Sequence, residues 1–167
     1  TANNVSSLVI DNIFTTTYST YKIFIDRMYG GSNGAWLGVR HLSSGTTDTN
    51  NVYATILGYA YVESGTQGYA SGNSGWHSSS NQGYLMLGSS DASYRGSAEL
   101  TVYNPANSDG DADRLRINFK TAGWNGTGRF ETRDGAFWIN NTSAPTGLEF
   151  RLSGNNFYGK FRVYGIK

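Results

Sequence analysis

The chain has 167 residues, with 13 Lys and Arg against 12 Asp and Glu, and a net charge of +1 gives no long-range field to draw it onto nucleic acid. It has no cysteine, which excludes disulfides, thiol nucleophiles and Cys-based metal sites. Charged residues make up 15% and aromatics 14%, with 22 glycines and two prolines, a balance that favours strands and turns.

In chain order, the first clear element runs from Thr20 to Met28. Tyr21, Ile23 and Ile25 alternate there with Lys22, Phe24 and Asp26, the two-residue period of a half-buried strand. Residues 36–42 alternate in the same way, and 53–62 form a longer aromatic strand. The stretch 63–83 is rich in Gly, Ser, Asn and Gln and reads as one long polar loop, a kind that is usually functional or mobile. Further strands are expected at 84–87, 98–103, 114–120, 128–133, 136–139, 148–152 and 160–166. Residues 30–34, 43–47, Asp109-Gly110 and Asp134-Gly135 are turn chemistry, and Asp134-Gly135 reads as a tight hairpin between two apolar runs.

No stretch carries apolar side chains at i, i+3, i+4 and i+7, so little helix is expected. About ten short strands with regular turn signals imply an all-β fold, an antiparallel β-sandwich of jelly-roll or lectin-like type. Trp36, Trp124, Trp138, Tyr53, Tyr59, Tyr61 and Phe137 are the aromatic candidates for a core between two sheets. The length suits a single domain over 1–167, read as a whole protein or as a piece of a longer one. Every apolar run falls short of the roughly 20 residues of a membrane helix, so no membrane insertion is expected.

Chemistry is sparse. Nucleophilic catalysis needs a base beside the nucleophile, and the histidines are only His41, in a strand pattern, and His77, in the polar stretch. His41 reads as structural. Glycoside hydrolysis needs two facing carboxylates, yet Glu63, Glu99, Glu131 and Glu149 fall on four separate elements. No enzymatic activity is therefore expected. Asp109, Asp111 and Asp113 place carboxylates at alternate positions, as oxygen ligands for calcium would stand. They read first as a solvated acidic turn, with calcium as the alternative and no other cofactor expected. Tyr69 and Trp76, with His77, sit among Asn, Gln, Ser and Gly. Two readings stay open: exposed rings suit the faces of sugars or a protein partner, while buried rings would belong to the domain's own core.

At the C-terminus, the stretch 147–167, with Ser153-Gly154-Asn155-Asn156-Phe157 and Arg162-Val163-Tyr164-Gly165-Ile166, resembles the closing strands of β-sandwich domains in tailed-phage virion proteins. Tyr21-Lys22-Ile23-Phe24-Ile25-Asp26 followed by Trp36-Leu37-Gly38-Val39-Arg40 is similar to their early strands, and Gly96 to Pro105 to a central one. The resemblance implies a tail-fibre, head-fibre or capsid-decoration domain at the virion surface, outside the cell. It implies docking on another capsid or tail protein, as a homotrimer or in many copies, and contact with host-surface glycans. No catalytic residues carry over, and Tyr164, Gly165 and Ile166 read as structural. A carbohydrate-binding module of a secreted enzyme and a glycan-cleaving enzyme of lectin-like fold are the competing functions.

Overall fold

The computed structural model describes residues 1–30, 35–47, 53–71, 75–77, 83–88, 90–106, 115–124, 128–139, 144–152 and 155–167. These form fourteen strands and no helix. The larger sheet runs in the order β1 (Ala2–Val5), β14 (Phe157–Ile166), β3 (Thr20–Gly30), β10 (Gly96–Tyr103), β11 (Leu115–Trp124), β12 (Arg129–Ile139), β6 (Tyr53–Glu63) and β7 (Thr66–Ser71), with β8 (Gly75–His77) also on β6. The smaller sheet runs β2 (Ser7–Ile10), β13 (Gly147–Leu152), β4 (Ala35–Ser43) and β5 (Thr46–Thr47), with β9 (Gly83–Gly88) also on β4. The pairings are antiparallel, and the chain is an all-β sandwich.

The two-residue period decides what lies between the sheets. Tyr21, Ile23 and Ile25 of β3, Leu100 and Val102 of β10, and Ile117 and Phe119 of β11 point inward. They meet Leu37 and Val39 of β4 and Leu148, Phe150 and Leu152 of β13. Each such fully buried side chain contributes roughly 1.5–3 kcal/mol. The rings of Phe150 and Phe161 lie 4.9 Å apart and join β13 to β14.

The chain changes sheets at Ser6, whose carbonyl accepts a hydrogen bond from the Leu152 amide at 3.3 Å. As a result β1 pairs with β14 and β2 with β13. Ser44-Gly45 and Ser64-Gly65 have φ of 51°, 78°, 48° and 79°, and they close hairpins at the pairs Ser43↔Thr46 and Glu63↔Thr66. Two successive positive φ values match the twist of the flanking strands.

Strand β3 carries one extra residue at its centre. Its register passes from Ile25↔Ala98 to Met28↔Gly96 on β10, and from Asp26↔Lys160 to Tyr29↔Tyr158 on β14. Arg27, inside this bulge, holds φ at 55°.

Three sequence expectations are corrected. Asp134-Gly135 is no hairpin, because both residues lie in β12, paired with Lys120 and Phe119 on one side and with Gly58 and Leu57 on the other. Gly135 takes an inward position without a side chain, and that gap in the alternation mimics a turn. The stretch 63–83 is not one loop, since β7 and β8 both lie within it and pair with β6. Of the aromatic core candidates, Phe137 is buried, but Trp124 and Trp138 occupy outward positions of β11 and β12.

Candidate functional site

The β6–β7 edge of the larger sheet brings apolar side chains to its outward face. Tyr69 is 77% exposed, Val62 44% and Phe130 37%. Register places Tyr69 opposite Ala60, Ala60 opposite Thr132, and Val62 opposite both Phe130 and Gln67. These six residues line a groove of about 510 Å³. A Cβ on Gly58 would stand 3.2 Å from the Tyr69 hydroxyl, so the ring reaches across β6 toward Gly58. Two open rotatable bonds and a flat apolar face make such a ring a low-entropy platform for a sugar.

The inward side of the same strands is charged. Tyr61 packs over Gly68, where a Cβ would come within 2.2 Å of the ring. The Arg129 guanidinium lies 3.4 Å from the Tyr61 ring centroid and 5.3 Å from that of Tyr59. Glu131 forms an ion pair with Arg129 at 3.2 Å and accepts a hydrogen bond from Arg133 at 2.5 Å. Arg133 in turn lies 4.3 Å from the Trp36 ring. Glu131 and Arg133 are each 6% exposed. Their mutual neutralisation allows charge to stand under this part of the sheet, and the Tyr59 and Tyr61 rings pack against the Arg129 guanidinium. Both carboxylate oxygens of Glu131 are engaged, so its role here is to position cations.

The other sequence candidates are dispersed. The backbone of Trp76 and His77 lies in β8, paired with Ala54 and Tyr53, while their side chains lie outside what the structure describes. Asp109, Asp111 and Asp113 lie outside the described residues, among which no group of His, Asp and Glu could hold a metal ion. His41 is fully buried in β4, opposite Leu148. Glu99 pairs with Lys22 on the outward face of the larger sheet, and Glu149 stands 3.9 Å from Arg40 in the smaller sheet.

Sequence reasoning missed Val62, Phe130 and the arginine–glutamate cluster. A signal was present: Arg129, Glu131 and Arg133 fall at alternate positions, with Phe130 between them. That order puts charge inside and the aromatic outside, the reverse of an ordinary strand. No family model, curated protein or solved structure matches this chain.

Proposed function

We propose that the chain is a non-enzymatic surface domain that presents its β6–β7 edge to a host-surface glycan, carried on a virion and docked there on another virion protein. The observation that carries the glycan reading is Tyr69, an aromatic 77% exposed beside the Val62–Phe130 groove. A large exposed ring set on a strand paired to β6, with Gln67 and Thr132 beside it as polar partners, suits sugar stacking. The virion part, and a lectin-like or jelly-roll kinship, rest on the resemblance of residues 96–105 and 147–167 described above.

Retention on polysaccharide columns tests the reading. The wild-type chain is retained by at least one polysaccharide, and Tyr69→Ala and Val62→Asp elute early with unchanged thermal midpoints. Wild-type retention by Tyr69→Ala removes the glycan reading. Absence of the protein from purified particles, with retention intact, favours a carbohydrate-binding module of a secreted enzyme instead.

A further inference from the structure

We infer that the glycan is an extended acidic polysaccharide lying across the strands, from the Tyr69 groove to a basic pocket at the β3 bulge; this rests on the saccharide reading above. A single line of paired residues crosses the outward face of the larger sheet. Tyr69 pairs with Ala60, Ala60 with Thr132, Thr132 with Ala122, and Ala122 with Ser97. Ser97 stands opposite the bulge, where Asp26 pairs with Lys160 of β14. The line spans seven strands. At about 4.8 Å per strand spacing that is about 29 Å, long enough for an oligosaccharide and too long for a single sugar.

The side chains along the middle of this line are Ala60, Thr132, Ala122 and Ser97, none larger than threonine. Larger groups flank them. Val62, Phe130 and Trp124 form the neighbouring row on one side. Glu99, Lys120 and Asp134 form it on the other. Small residues between taller rows make a trough that runs perpendicular to the strands.

The trough ends in a pocket of about 380 Å³ lined by Asp26, Arg27, Arg95, Ser97, Lys160 and Arg162, along with Gly96. Four cations line it with one carboxylate, and that carboxylate is already ion-paired to Arg162. The pocket therefore has positive charge in excess among its lining residues. Arg95 is pre-set: its Nε donates to the Ala92 carbonyl at 2.8 Å, and its guanidinium lies 5.9 Å from the Tyr29 ring. That ring stacks on Tyr158 at 4.5 Å. Arg27 is the most telling of the four. Its φ of 55° suits glycine or asparagine, and an arginine there costs stability that function can explain.

The shared chemistry of the ligand is an anionic substituent, carboxylate or sulfate, on a sugar polymer. Glu99 and Asp134 border the middle of the line, so the anionic substituents that count are those that reach the basic pocket at its end.

Calorimetric titration with neutral dextran, polygalacturonate and dextran sulfate tests this, with a single-stranded oligonucleotide as competitor. The acidic polymers are expected to bind about tenfold more tightly than dextran, with an advantage that fades as salt rises. Arg27→Gly relieves the left-handed backbone, so its thermal midpoint is expected to hold or rise while acidic-polymer affinity drops by about tenfold. Thr132→Trp, at a solvent-facing strand position that accepts an aromatic, fills the trough and lowers polymer affinity by a similar factor. Either order between polygalacturonate and dextran sulfate supports the proposal and assigns the anionic group. Unchanged acidic-polymer binding by both variants overturns it. If Tyr69→Ala still abolishes binding in that case, the saccharide reading stands and only the acidic track falls. Failure of every polymer to bind overturns both, and equal displacement by the oligonucleotide overturns the saccharide chemistry.

Discussion

Arg129 stacks 3.4 Å over Tyr61, and Tyr61 itself occupies the space that a side chain on Gly68 would need. The exposed groove on one side of β6–β7 thus depends on a layered arrangement on the other side. Gly68→Ala is expected to push the Tyr61 ring off the strand and destabilise the protein by about 1–3 kcal/mol, the range for overpacking. Near-ultraviolet circular dichroism and thermal melting would read the displaced ring and the lost stability.

Glu131 bridges Arg129 and Arg133, and it is 6% exposed. Removing it leaves cationic groups without their counter-charge under the sheet. Glu131→Leu is expected to cost about 3–5 kcal/mol in urea unfolding, because one partner of a buried pair has gone. A triple change of all three to apolar residues of similar volume should recover much of that loss.

Gly147 pairs with Leu42 in the centre of the smaller sheet. A Cβ there would stand 2.2 Å from the Ile10 carbonyl oxygen and 2.7 Å from the Asp11 Cα. Backbone cannot swing aside as a side chain can. Gly147→Ala is therefore expected to be among the most harmful single changes, at about 4 kcal/mol or more, or to abolish soluble expression. At Gly165 the atoms nearest an added Cβ belong to the Tyr18 side chain rather than to backbone, so Gly165→Ala should cost less.

Tyr69→Ala should change unfolding free energy by no more than about 0.5 kcal/mol, as expected for an exposed side chain. Phe150→Ala, in the core, should cost about 3–5 kcal/mol. A large loss at Tyr69 would mean that its ring belongs to the packing of the domain.

Much of the sandwich was legible in the alternation of Tyr21, Ile23 and Ile25, and of Leu115, Ile117 and Phe119, because a period of two maps directly onto one buried face. The boundaries at Asp134-Gly135 were not, since a local turn signal carries no information about two flanking strands that hold the segment straight. The polar stretch after Glu63 hid β7 and β8 because an edge strand buries little and so needs few apolar residues. For the candidate site, Tyr69 stood out through its polar neighbours. The basic pocket did not, because its cations come from β3, β14 and the segment before β10, and only the bulge at Arg27 brings them together.

The change of sheet at Ser6 also sets a schedule. Strands β1 and β2 are made before β3 to β12, yet their partners β14 and β13 come after all of these. β3, too, waits for β14 on one side. The nascent chain must therefore hold β1 and β2 unpaired until β13 and β14 emerge, and the two sheets gain these pairings only then. Refolding is expected to take milliseconds to seconds, as for other folds dominated by distant pairings. During synthesis, the unfinished edge of β3 is where an incomplete chain is most exposed to pairing with a neighbouring copy of itself.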